Sequence, residues 1–134
     1  MTPREIVARV LEAELGRDMD AFSDLIAEDG VLEMPYAPPG ARRIEGRETI
    51  RARLRKGVEL SPLRLEGAVR EEVYETSDPE VVIREMELHG TVVASGAAFR
   101  AEYVTLFRIR DGLIALCRHY AEPADRIVAS ARNA

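Results

Sequence analysis

Two histidines, one cysteine and a run of alternating carboxylates hold most of the proton chemistry available to this chain. Glu85, Glu87 and His89 fall at period two, so they share one face of a strand. Arg100, Glu102, Val104 and Leu106 do the same on the next strand. A hairpin centred on Ser95-Gly96 would set His89 nearly opposite Glu102, and Glu87 opposite Val104. So many charged groups are costly to bury unless paired. That face is therefore either wet or the lining of a polar cavity. Glu85 and Glu102 sit nearest the middle of their strands, which makes them the preferred acid-base partners for His119. An imidazole gives or takes a proton near neutral pH. The plainer alternative for His119 is a histidine satisfied by hydrogen bonds. Tyr36 follows Met34 by two and faces the same way, either to orient a carbonyl or simply to line a wall. Cys117 has no basic partner or helix start to lower its pKa, so it reads as a small apolar residue.

The rest of the composition narrows the class without choosing an activity. The 134 residues make one domain the default, expected over 1–123 with a C-terminal tail over 124–134. A net charge of -5 argues against a general nucleic-acid binder. A single cysteine excludes an internal disulfide and fits a reducing, cytoplasmic setting. The polar start, Met1 to Glu5, does not read as a signal peptide, and no apolar run reaches the roughly 18 residues of a membrane span. No zincin spacing, glycine-rich phosphate loop or nucleophile elbow occurs, so neither a metal nor an organic cofactor is expected. Arg42, Arg43, Arg47, Arg51, Arg53, Arg55 and Lys56 cluster without interleaved aromatics. They read as a solvated face paired with Glu45, Glu48 and Glu59, or else as a surface for an acidic partner.

Elements that would position these residues follow from periodicity. Thr2 and Glu5 form a capping-box pattern with Pro3 at the first helical position. Ile6, Val7, Val10, Leu11 and Leu15 then make one stripe, and Gly16 is a natural stop. Asp18 caps a second helix that carries Phe22, Leu25 and Ile26 and ends at the turn Glu28-Asp29-Gly30. A short strand spans Val31 to Tyr36, and a third helix runs from about Gly46 to Gly57. Four long strands follow, joined at Thr76 to Pro79, at Ser95-Gly96 and at Asp111-Gly112. Helices segregated from strands define an α+β class. Three N-terminal helices would pack on the concave face of a curved, mostly antiparallel sheet, leaving an internal cavity.

This order and several local strings resemble the nuclear transport factor 2-like superfamily, in its SnoaL-like and ketosteroid isomerase-like branch. The strings are Ile26 to Pro35, Ile44 to Ile50, Leu88 to Val92, Tyr103 to Ile114 and Arg118 to Pro123. The resemblance implies a cone with a largely apolar cavity, commonly a homodimer through the sheet. Family members include isomerases, polyketide cyclases, epoxide hydrolases, dehydratases and non-catalytic modules. It also implies an absence. The isomerase base falls at Met34, its tyrosine near Val10 and its protonated aspartate near Val104, so all three groups of that mechanism, a worked case of pKa tuning, are missing. In the same alignment His119 points into the cavity with Cys117 one step deeper. The expectation is an apolar, oxygenated metabolite handled by His119 with Glu85 or Glu102. Arg100, Tyr36, Met34, Glu87, His89, Val104 and Cys117 would line the site. The competing expectation is a non-catalytic ligand-binding or dimerisation module.

Overall fold

The computed structural model describes residues 1–132. The capping box forms: the Thr2 hydroxyl accepts the Glu5 backbone N–H at 3.2 Å, and the Glu5 carboxylate accepts the Thr2 N–H at 3.5 Å. From there α1 (Pro3–Gly16) buries Ile6, Val7, Val10 and Ala13. Arg17 ends it in the left-handed region, φ 55°. Asp18 caps α2 (Met19–Asp24) by accepting the Ala21 N–H at 3.0 Å. The order continues β1 (Ile26–Glu33), β2 (Arg43–Glu45), α3 (Arg47–Leu60), β3 (Leu63–Glu75), β4 (Val81–Val92), β5 (Ala98–Arg110), β6 (Leu113–Ala121) and α4 (Ala124–Arg132).

The six strands form one curved sheet, ordered β2-β1-β6-β5-β4-β3. Only β1 and β6 run parallel. Register shifts near Leu65, Ala68 and Arg108 add local twist and bend, which curls the sheet around the helices. Asp111 and Gly112, at φ 53° and 77°, make the tight β5–β6 turn that the sequence predicts.

Four features depart from expectation. β1 begins at Ile26, not Val31, because Glu28-Asp29-Gly30 is absorbed as an irregularity within the strand rather than forming a turn. A bulge and a turn use the same residue types. The short β2 then pairs beside it. The β4–β5 register sets His89 opposite Arg100 and Glu87 opposite Glu102, two residues away from the expected pairing. The stretch expected as a tail is the helix α4 up to Arg132, with Ile127 and Ala131 buried against Met86, Leu88, Ala101 and Tyr103; residues 133–134 lie outside the described residues.

The inner face of the sheet is set by alternation. On β4 Val82, Arg84, Met86 and Leu88 are all buried, and on β5 Phe99, Ala101, Tyr103, Thr105, Phe107 and Ile109 are buried. Their neighbours Glu85, Glu87, His89, Arg100, Glu102 and Val104 point to the other face. Two members of the basic cluster staple α3 to α2: Arg51 bonds Asp20 and Asp24 at 3.1 and 2.7 Å, as well as Glu48 of its own helix at 3.0 Å, and Arg55 reaches Asp20.

Two glycines make opposite predictions. A Cβ on Gly90 would strike the Arg64 carbonyl of the neighbouring strand, whereas one on Gly57, in exposed α3, meets nothing. Gly90→Ala is expected to lower unfolding free energy by about 2 kcal/mol through overpacking. Gly57→Ala is expected to raise it by about 1 kcal/mol through helix propensity. Urea unfolding curves of both variants check the contrast.

Candidate active site

Arg84 is the residue around which the cavity is organised. It is 1% exposed, yet it carries a full charge on an otherwise apolar row. Its Nη1 donates to Glu14 Oε1 at 2.7 Å and its Nη2 to Glu14 Oε2 at 3.3 Å. The same Nη2 donates to Thr105 Oγ1 at 3.3 Å. Phe107 lies beneath the guanidinium, 5.3 Å from its centre. Glu14 reaches Arg84 because it continues the Val7 and Val10 stripe of α1 at helical spacing.

Thr105 passes this arrangement on. Arg84, Thr105 and His119 are register partners on three consecutive strands, and Thr105 Oγ1 lies 2.9 Å from His119 Nδ1. Arg84 can only donate, so the threonine oxygen accepts from it with one lone pair and its own hydroxyl proton is available to Nδ1. In that arrangement the neutral ring carries its proton on Nε2. Nε2 has no protein partner among the described residues. Burial pushes the His119 pKa below its ordinary 6.5; the Arg84 charge adds to this and Glu14 opposes it. The imidazole is therefore neutral at physiological pH.

His119 lines an inner chamber of about 150 Å³ with Val10, Phe22, Leu32, Leu54 and Cys117. Met34 and His119 also border an open cleft of about 720 Å³, flanked by Tyr36 and the start of α4. Tyr36 is 62% exposed and meets Tyr120 edge to face at 5.8 Å. Burial pushes the Cys117 thiol up to about 12, which leaves it protonated and inert.

The structure thus brings together His119, Met34, Tyr36 and Cys117 from the sequence-based set. It separates the others. Glu85 and Glu102 lie on the opposite face of the sheet from His119, where Glu85 accepts the Tyr74 hydroxyl at 2.6 Å. Arg100 pairs with Glu87 there at 3.4 Å, His89 is exposed over Gly67, and Val104 is 39% exposed. The cost of burying several charges left a wet face or a polar cavity lining as the two readings, and the structure takes the wet face, which corrects Glu85 and Glu102 as partners of His119. Sequence reasoning missed Glu14, Arg84 and Thr105. Their signal was a lone charge interrupting Val82, Met86 and Leu88, and another ending an apolar helical stripe. Among the described residues no three His, Cys, Asp or Glu side chains gather as metal ligands would, and no helix is long and apolar enough to cross a membrane.

A curled sheet closed by helices over a mainly apolar chamber, with its polar groups strung along one row, defines the ketosteroid isomerase-like, nuclear transport factor 2-like architecture. Within it the chain belongs to the SnoaL-like domain family, whose model matches residues 7–117. An uncharacterized PhzA/B-like protein of Pseudomonas aeruginosa is 38% identical over 124 residues, covering 92% of this chain and 86% of its own. A Bacillus subtilis structure provisionally described as an isomerase is 30% identical with a TM-score of 0.82, covering 96% of this chain and 91% of that one. A Pseudomonas putida structure provisionally described as a polyketide cyclase shares the fold at 23% identity and TM-score 0.77, covering 96% and 97%.

Removing one member of a buried ion pair strands the other. Glu14→Leu is expected to cost about 3–5 kcal/mol of unfolding free energy. The double variant Glu14→Leu, Arg84→Met is expected to cost less than the single, because no unpaired charge remains. Chemical denaturation of the three proteins decides it. A second outcome concerns pH. Because the folded His119 pKa lies below 6.5, its contribution to stability is complete above pH 6.5 and is lost as pH falls through the folded value. His119→Gln should flatten the acid limb of the stability profile.

Proposed function

We propose that the chain is a cofactor-independent enzyme that moves protons on an apolar, oxygen-bearing small molecule inside the His119 chamber. The observation that carries this is the row Arg84–Thr105–His119, which holds a neutral imidazole in one tautomer against an apolar wall. The Nε2–H of His119 donates to a carbonyl oxygen of the bound molecule. The Glu14 carboxylate, whose oxygens keep lone pairs beyond those taken by Arg84, accepts a proton from the neighbouring carbon. The electron pair moves onto oxygen, and the resulting oxyanion is stabilised by Nε2–H and by the Arg84 charge behind Thr105. Where a C=C bond adjoins the acidic carbon, return of the proton from Glu14 to its far carbon completes an isomerisation. Attack of the enolate carbon on a second carbonyl, whose oxygen takes the electron pair and then the proton from Glu14, completes a cyclisation. Both outcomes fit the descriptions of the similar proteins and a role in secondary metabolism.

A chamber of about 150 Å³ suits one ring-sized apolar group. The exposed side chains Val69, Tyr74 and Val104 on the outer face support a homodimer through the sheet, and the single buried cysteine supports a reducing, cytoplasmic setting. The absence of a base at Met34 favours the second reading, a module that holds its ligand without chemistry.

The test is α-proton exchange of acetophenone and related aryl ketones into deuterated buffer, followed by proton NMR. Catalysed exchange should drop about 100-fold in both His119→Gln and Glu14→Gln. Binding without exchange above buffer would establish the module reading instead.

A further inference from the structure

Tyr103 lies two residues before Thr105 on the same inner face, and its ring stacks on His119 with centroids 5.3 Å apart and planes 17° apart. It is only 8% exposed. Its hydroxyl has no hydrogen-bond partner among the described residues and is not one of the polar atoms sealed away from all space. A buried phenol ordinarily spends its proton on a partner. Burial pushes this one up to about 12, so it stays a donor throughout the physiological range.

Space for a partner lies in front of it. Tyr103 lines a second chamber of about 230 Å³ whose other walls include Met19, Val58, Leu63 and Leu65. Glu14 and Met19 border both this chamber and the one at His119. The His119–Tyr103 stack therefore presents one unspent donor to each chamber, and Glu14 and Met19 are wall common to both.

We propose that the two chambers are a single binding site with Tyr103 as its second donor, so that the ligand is an elongated apolar molecule with two oxygen acceptors, one for His119 and one for Tyr103. This rests on the His119 reading above. It adds a length and a second oxygen to the substrate class, and it makes Tyr103 a specificity-determining residue. Ligands that fill only the first chamber leave the Tyr103 hydroxyl to water, so a two-acceptor ligand gains a contact that they do not make.

Calorimetric titration with two probes tests it. Acetophenone offers one ring and one carbonyl; phenacylacetone adds a second carbonyl further along. The intact protein should bind phenacylacetone more tightly. Tyr103→Phe should weaken phenacylacetone about three- to tenfold and leave acetophenone unchanged. Leu65→Trp, which fills the second chamber, should do the same. Equal affinity for both probes, equal loss of both in Tyr103→Phe, or no phenacylacetone binding at millimolar concentration would overturn the proposal. The underlying reading fails separately: it is lost if His119→Phe binds acetophenone as well as the intact protein does, whatever Tyr103 shows.

Discussion

The Glu14–Arg84 ion pair constrains everything else in the cone. A guanidinium 1% exposed costs several kcal/mol to desolvate, and it is repaid only by good geometry. Two bonds to one carboxylate, a third to Thr105 and the face of Phe107 supply that geometry, although Nε stays buried without a partner. These contacts tie the end of α1 to the middle of β4 and β5. The helix cannot slide along the sheet without stranding a charge. The chamber wall between α1 and the sheet is therefore fixed by electrostatics as much as by its apolar stripe.

The same pair reaches His119 through Thr105. Arg84 takes one lone pair of the threonine oxygen, and with the threonine proton turned to Nδ1 the ring's donor stands at Nε2. In the ketosteroid isomerases that the sequence resembles, carboxyl and phenol groups do this work. The resemblance assigns those positions to Val10, Met34 and Val104. Val10 and Met34 do line the inner chamber as apolar wall, but Val104 faces away from it, which corrects the third assignment: a residue on the outer face cannot correspond to a group aimed into the chamber. One cone thus accommodates two wirings. One places its polar groups at separate points of the wall, and the other strings them along a single row across β4, β5 and β6.

How far the sequence could be read depended on what each property averages over. Helix caps, turns and strand lengths are local, and Thr2, Asp18 and Asp111-Gly112 behaved as their chemistry requires. The choice of inner face was equally local but turned on weighing two rows of β4 against each other. Glu85, Glu87 and His89 drew attention because they carry chemistry. Val82, Met86 and Leu88 carried the better argument, because a row with one charge is cheaper to bury than a row with three. The two-residue error in the β4–β5 register left each residue on its proper face, since faces repeat every two. The Thr105–His119 contact was beyond reach, because it depends on the β5–β6 register and on a hydroxyl that sequence alone cannot orient. The helix α4 was hidden by its length: Ile127 and Ala131 make a stripe of two positions, too short to distinguish from a frayed end.

Separating the faces also settles the field inside the chamber. Nearly all of the chain's charge, including the carboxylates of β4 and β5, lies in contact with water, where its influence is screened. Among the groups lining the inner chamber, Glu14 and Arg84 are the carboxylate and the guanidinium, and the low-dielectric walls let them act at close range. Their pairing makes a dipole with its negative end at Glu14, which borders both chambers, and its positive end toward Thr105 and His119. A reaction that moves negative charge from the first end to the second is favoured by this fixed field without any rearrangement of the protein. A reaction that builds positive charge beside His119 is opposed by it. The chamber is therefore suited to enolate-like intermediates and poorly suited to oxocarbenium-like ones. That preference follows from one arginine on the inner row of β4.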